Sequence, residues 1–222
     1  LLAVGPVGML TLAPELPGGM DAVRRASTAG VVVSVGHSDA TAAQTAAAVD
    51  AGARALTHCW NAHRRMTARD PGPAGCALTD QRVTVGLIAD HHHVAPEMLR
   101  LAFASAVGRI ALVTDLIAPA LTDATRWEVD GASVTVEGGR ATVADGTLAG
   151  AVATMDDVVR RLVESGLDEV PALAAASTTP AALLGVHAGL TPGARADVVV
   201  LDAELVVRRT LVGGVESVDG PG

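Results

Sequence analysis

VVVSVGHSDATAAQTAAAVDAG, residues 31–52, carries the pattern from which the fold follows. Val31–Val35 is a short apolar run. Gly36-His37-Ser38 ends it with polar groups. An Ala-rich stretch of helical spacing, Asp39–Ala51, follows Ser38 and stops at Gly52. The unit reads as strand, turn and helix, and it recurs on both sides. Apolar runs fall at Met9–Ala13, Arg54–Thr57, Val83–Ala89 and Ile110–Thr114. Helical spacing fills Gly19–Ala29, ending at Gly30, and Pro96–Val107, which opens on a first-turn proline and stops at Gly108. Short apolar runs alternating with helices predict βαβ units and a parallel sheet.

Beyond Asp115 the pattern changes. WEVDGASVTV, residues 127–136, alternates, and the stretch up to Gly146 is rich in turn residues, so an antiparallel hairpin insertion is expected near 127–146. Helix resumes over Met155–Glu164 and again through Val170–Leu184. Asp197–Leu211 reads as two strands around a turn near Asp202–Glu204. The expected division is residues 1–190 as a partial (β/α) barrel unit and 191–222 as the strands of a small β-sandwich. No internal repeat or low-complexity tract interrupts this.

Composition narrows the functional classes. Half of the 222 residues are hydrophobic, enough for one sizeable core. Aromatics are only 1%, so that core must be built from closely packed small aliphatics. The formal net charge is -8, which argues against a nucleic-acid partner but not against a small phosphorylated molecule. No run of 18 apolar residues occurs, so no membrane span is expected. Cys59 and Cys76 form no C-x-x-C pair and imply no disulfide framework, which points to a reducing cytoplasm. LLAVGPVGML, residues 1–10, lacks both a starting Met and the features of a signal peptide, and reads as though cut from the middle of a longer chain.

The chemistry lies at the ends of the apolar runs. The second run ends at His37, the third at His58, the fourth at Asp90-His91-His92-His93 and the fifth at Asp115. In a (β/α)8 barrel the C-terminal ends of the strands converge on the active site. Two imidazoles from adjacent strands and a carboxylate are the ingredients of a hydrolytic metal site. Other readings stand beside this one. A single His after a strand is more often a hydrogen-bonded structural residue. His91 and His92 fit a solvated loop, and His63 fits an exposed position in an Arg-rich segment. His187 has no evident partner. Arg64, Arg65 and Arg69 form a basic group that is either a solvated turn or a phosphate clamp, since guanidinium matches phosphate geometry.

Several strings together resemble the N-acetylglucosamine-6-phosphate deacetylases of the amidohydrolase superfamily. VVVSVGHSDAT (31–41) resembles the segment supplying a metal-binding His, which implies a ligand at His37. ALTHCWNAHRRMTARDPGPAG (55–75) is similar to T-H-x-x-N-A-M…R-E-P-G and implies a ligand at His58. It also implies substrate contacts at Asn61, Ala62 and Arg69. GLIADHHHV (86–94) resembles I-A-D-G-x-H-V and implies a substrate-binding His93. ALVTDLIAPA (111–120) implies that Asp115 is the catalytic acid/base. GTLAGAVATM (146–155) implies an acetyl pocket near Leu148, Ala149 and Gly150. TTPAALLGV (178–186) and LTPGARADVVVLD (190–202) resemble the closing motifs. The resemblance spans essentially the whole chain in order.

The fold it implies is α/β: about the last five strands of an amidohydrolase-type (β/α)8 barrel, with C-terminal strands of a small β-sandwich. The activity it implies is metal-dependent deacetylation of N-acetylglucosamine 6-phosphate, giving glucosamine 6-phosphate and acetate. It further implies one divalent ion, zinc or iron, and a homodimer in the complete enzyme. In that scheme Asp115 takes a proton from the attacking water and returns it to the departing amine, while His93 holds or polarises the carbonyl. Three positions depart from the pattern: His91 replaces a Gly, His63 a Met and Ala151 a Ser. The family's metal-binding Glu belongs to an upstream H-x-E-G-P string that this sequence does not contain, and an upstream substrate-binding His is missing with it. Glu15, in TLAPE, belongs to a different segment and is expected to play a supporting role. Five runs where closure needs eight lead to the expectation of a fragment, or of a chain completed by another polypeptide. Two alternatives remain: a dihydroorotase-like amidohydrolase, disfavoured because all 16 cationic residues are Arg and the bridging Lys is lacking, and a catalytically inactive piece.

Overall fold

A computed structural model of the chain describes residues 5–122, 125–129 and 131–217. The first four residues of the N-terminal string and the last five of the C-terminal unit lie outside the described residues. The first half is a five-stranded parallel sheet in sequential order, β1 (Met9–Leu12), β2 (Val32–Val35), β3 (Ala53–Leu56), β4 (Thr84–Leu87) and β5 (Ile110–Leu112). The registers run Met9↔Val32, Val35↔Leu56, Leu56↔Val85 and Leu87↔Leu112. Helices α1 (Gly19–Thr28), α2 (Ala42–Asp50), α3 (Gly72–Thr79) and α4 (Pro96–Ser105) make the crossovers. This is the α/β arrangement expected from the alternation of runs and helices.

The core is aliphatic, as the composition demands. Leu56, Leu87, Ile88, Leu99 and Leu162 are its largest fully buried side chains, filled in by Val23, Val33, Val35 and Val85. Each such Val or Leu contributes about 1.5–3 kcal/mol on burial. Ser34, at the centre of β2, is also fully buried. Its hydroxyl lies 2.6 Å from Thr57 Oγ1, which in turn lies 3.1 Å from Thr11 Oγ1, so three strands are joined by one hydroxyl chain.

The second half begins with a four-stranded antiparallel sheet, β6 (Arg126–Val129), β7 (Ala132–Glu137), β8 (Arg140–Thr142) and β9 (Leu148–Ala151). The alternation around Trp127 therefore belongs to four strands, two more than a hairpin. Helix α5 (Met155–Glu164) opens with a Thr154–Asp157 capping box and buries Val158, Val159 and Leu162. The helical stretch from Val170 divides at Ser177 into α6 (Glu169–Ala176) and α7 (Thr178–Leu183). Pro180 in the first turn of α7 cannot continue a helix from upstream. A final antiparallel sheet holds β10 (Val198–Leu201), β11 (Val207–Val212) and a short β12 (Val215–Glu216).

Two further differences come from competing side chains. Helix α2 begins three residues later than the sequence suggests. Thr41 and Gln44 form its capping box, while the Ser38 hydroxyl donates to Glu15 Oε2 at 2.7 Å. Helix α3 lies in a segment for which the sequence pattern predicts no helix. Its small residues, GPAGCALT, bury almost completely against the sheet. Its C-terminal carbonyls are held by Arg109, which donates to Ala77 O at 3.1 Å and Leu78 O at 2.8 Å.

Candidate active site

All the sequence-predicted polar strand ends lie at one rim of the parallel sheet. His37 follows β2 and His58 follows β3, and their Nε2 atoms stand 2.9 Å apart. The rings meet edge to face, with centroids separated by 4.7 Å and planes inclined at 74°. His58 is only 6% exposed. Burial pushes its pKa below the ordinary value against the opposing pull of Asp115, so its ring is neutral at neutral pH. A divalent cation binds imidazole through an unprotonated ring nitrogen, so the separation of the two Nε2 atoms is the quantity to compare. Two imidazole nitrogens, each about 2.1 Å from a common ion, lie about 3 Å apart at right-angled coordination. The observed pair fits. Among the described residues no group of three or more His, Cys, Asp or Glu side chains could hold a metal ion.

Backbone conformation concentrates here. Of the seven non-glycine residues with positive φ among those described, six flank this rim: His37 (49°), His58 (27°), Trp60 (70°), Ala62 (51°), His91 (63°) and Asp115 (53°). Such conformations cost roughly 1–3 kcal/mol each and persist where surrounding contacts impose them. Those contacts are visible. Gly86 of β4 lets the chain after β3 approach. A Cβ at Gly86 would lie 2.8 Å from Leu56 O and 3.1 Å from His58 N. The Cys59 amide then donates to Gly86 O at 2.7 Å. At the neighbouring turn, Glu15 accepts from Ser38 Oγ at 2.7 Å and from the Asp39 amide at 2.6 Å.

The loop after β4 is organised by Asp90, which is 1% exposed. Its Oδ1 accepts the amides of His92 (2.9 Å) and His93 (2.8 Å), and its Oδ2 lies 2.7 Å from His93 Nδ1. Burial opposes the carboxylate charge, but the His93 ring and the two amides outweigh it and bring Asp90 down to about 2. His93 Nδ1 is thereby engaged, leaving Nε2 for other partners. His91 turns away, donating toward Arg161 O of α5 and lying near Oγ of Ser165, the residue that caps the C-terminus of α5, both at 2.8 Å. Arg161 donates back to Asp90 O at 2.7 Å. His91 is therefore a docked residue, not a solvated one.

Asp115 lies beyond β5, exposed and electrostatically coupled to His58. Its backbone is pinned by β9, where Ala151 N donates to Asp115 O at 2.8 Å and Ile117 N to Ala151 O at 3.0 Å. Gly150 (φ 127°) makes this approach possible. Leu148 and Ala149 beside it are half-buried.

The segment after His58 separates its polar groups into two kinds. Asn61 turns its amide to Cys59 O at 3.2 Å, and Ala62 is exposed. Arg64 is occupied by Asp70 (2.9 Å) and Asp39 (3.3 Å). Arg69 is exposed, and neither it nor Arg65 has an ion pair among the described residues. Arg65 borders a cavity of about 540 Å³ with Trp60, Met66 and Met98. His63 is half-buried and not loop-exposed. Its Nε2 donates to Thr57 O at 2.8 Å, and its ring packs 5.7 Å from that of His58. The Nδ1 atoms of His58 and His63 and the Trp60 indole nitrogen are buried without hydrogen-bond partners. His63 and Trp60 carry no recognisable spacing signal, because their placement depends on the turn that positive φ at Trp60 and Ala62 creates. His187 lies in a late exposed loop near Thr191 Oγ1, away from this rim.

Comparison with known proteins adds the following. No family model matches the chain. It is 41% identical over 210 residues to an N-acetylgalactosamine-6-phosphate deacetylase from Escherichia coli O157:H7, covering 93% of the chain and 56% of that protein. It is 40% identical over 218 residues to an N-acetylglucosamine-6-phosphate deacetylase from Danio rerio, covering 94% and 54%. A solved mutant N-acetyl-D-glucosamine-6-phosphate deacetylase from Mycobacterium smegmatis, in complex with N-acetyl-D-glucosamine-6-phosphate, matches with a TM-score of 0.90 at 40% identity over 95% of the chain and 57% of that structure. The chain spans about half the length of these relatives.

Proposed function

The chain belongs to the N-acetylglucosamine-6-phosphate deacetylase family, and on that premise we propose that it supplies the metal-holding and proton-transferring half of an amino-sugar phosphate deacetylase. The reaction is hydrolysis of the acetamide of N-acetylglucosamine 6-phosphate to glucosamine 6-phosphate and acetate. The observation that carries this reading is the meeting of the His37 and His58 Nε2 atoms at 2.9 Å, with Asp115 electrostatically coupled to His58. The five parallel strands are then an arc of a (β/α)8 barrel whose C-terminal rim is the active-site mouth. Among the described residues, those up to 190 form that unit, and those from 191 contribute strands to a small sandwich.

His37 and His58 would hold one divalent ion, zinc or iron, with a further ligand from outside the described residues. Such an ion supplies Lewis acidity and lowers the pKa of water it binds. Asp115 accepts the proton of the attacking water on its carboxylate and delivers it to the nitrogen of the departing amine. Exposure at the rim and coupling to His58 suit it to that task. Asp90 holds the His93 ring by Nδ1, which leaves Nε2 to meet a substrate oxygen. Arg69, exposed and without an ion-pair partner among the described residues, suits the phosphate, with Asn61 and Ala62 beside it. Leu148, Ala149 and Gly150 border the acetyl group. The family resemblance supports a homodimer.

The test is acetate release from N-acetylglucosamine 6-phosphate by the chain, alone and joined to the N-terminal part of the Mycobacterium smegmatis relative. Chelator-sensitive release by the joined form supports the proposal. Ring opening of dihydroorotate, or release indifferent to chelation, contradicts it. The 41% identity to a galactosamine-type relative favours N-acetylgalactosamine 6-phosphate as the second substrate for the same assay. No helix among the described residues is long and apolar enough to cross a membrane.

A further inference from the structure

The turn after β2 poses a physical problem. His37 has φ 49°, a backbone state that a residue with a Cβ does not adopt without restraint. Its residue is exposed and its one ring contact is with the buried His58, which leaves the course of its backbone to be set from elsewhere. The restraint comes from the next two residues. Ser38 is 1% exposed and donates its hydroxyl to Glu15 Oε2 at 2.7 Å, and the Asp39 amide donates to Glu15 Oε1 at 2.6 Å. One carboxylate thus grips both residues following His37 through two charge-assisted bonds, the stronger kind. The Ser38 hydroxyl also accepts the Ala40 amide at 3.1 Å, which completes the turn.

We propose that Glu15, from the loop after β1, is the positioning residue that brings His37 to His58. Its value as a ligand-positioner rests on the reading of His37 and His58 as metal ligands, but its effect on the imidazole pair does not. Glutamine is nearly the same shape, yet it has one acceptor oxygen in place of two. With its oxygen on the Asp39 amide, as Oε1 is in the native turn, its NH2 group faces the Ser38 oxygen where Oε2 had accepted the serine proton, and the charge that strengthened both bonds is gone.

The 222-residue chain carrying labelled histidine allows the test by NMR. Wild type should show a nuclear Overhauser contact between the His37 and His58 rings in the absence of added metal. Glu15→Gln should abolish or sharply weaken that contact while melting within a few degrees of wild type. Ser38→Ala, which removes one of the two bonds, should weaken it partially. A Glu15→Gln chain that retains the full ring contact overturns the proposal, whether or not its melting temperature falls, because the residue is then structural only. Adding Zn²⁺ to wild type separates the two claims. Resonance shifts confined to His37 and His58 support the ligand reading. Their absence removes that reading and leaves the positioning result to stand on the ring contact alone.

Discussion

Replacing Asp90 by asparagine changes almost no volume and removes one charge at a site where that charge is fully committed. The Asn Oδ1 can still receive the amides of His92 and His93, both of which reach Oδ1 in the native loop. What disappears is the bond from His93 Nδ1 to Oδ2 and the negative charge behind it. The Asp90 carboxyl sits at about 2 against an ordinary 3.8. At about 1.4 kcal/mol per tenfold change in acidity, that gap corresponds to roughly 2 kcal/mol. An independent estimate, the typical worth of a hydrogen bond to a charged partner, is about 1.5–3 kcal/mol. For a chain of this size about 2 kcal/mol lowers the melting temperature by roughly 4–8 °C near neutral pH. The pH dependence fixes the cause. A carboxyl whose folded pKa is depressed stabilises above its unfolded value and loses that contribution as pH falls through the folded one. The gap between wild type and Asp90→Asn should therefore be constant above pH 4 and close between about 4 and 2. Thermal melts of both proteins across that range measure it. Equal stability at pH 7, or a gap that persists undiminished at pH 2, would refute the account of the loop.

Three further outcomes follow from the site. Asp115→Asn in the completed enzyme should lower turnover at least ~100-fold, the usual scale for losing a general acid/base, and wild-type turnover would remove Asp115 from that role. Arg69→Ala should raise KM roughly 10- to 100-fold for the phosphorylated sugar and leave an unphosphorylated analogue unaffected; equal effects on both would rule out a phosphate contact. Gly150→Ala places a methyl group 2.5 Å from Ile117 Cγ2 and 3.0 Å from Asp115 O at φ 127°, which should cost about 1–3 kcal/mol and depress turnover by moving Asp115. Undiminished turnover in that variant would mean that β9 does not set the position of the Asp115 loop.

The parallel half of the fold was legible because its strands are short, continuous and apolar, and because each ends at a polar residue. Helix α5 was legible to the residue, since Thr154 and Asp157 announce its start. Other elements were hidden for physical reasons. Helix α3 consists of small residues and opens on the turn-like string Asp70-Pro71-Gly72-Pro73, and it becomes a helix through burial and through Arg109 at its end. The break at Ser177 is written in Pro180, but the Ala-rich flanks mask it. In the site, strand-end positions of His37, His58 and Asp115 can be read from spacing alone, whereas only the family resemblance singles His93 out of the run 91–93. The convergence of two Nε2 atoms cannot be read that way, because it depends on positive φ at His37 and His58. By sequence His91 fits a solvated loop and His63 an exposed position. Only tertiary context shows that one docks on α5 and the other backs His58.

The aliphatic character of this protein also makes it optically quiet. It contains no tyrosine and two tryptophans. Trp127 lies 40% exposed on β6, whereas Trp60 sits two residues from His58 with its indole nitrogen buried and unbonded. Replacing Trp127 by phenylalanine leaves a chain whose entire near-ultraviolet emission originates beside the imidazole pair. Light emitted by such a chain would report on the occupancy and hydration of that corner, with no foreign dye attached.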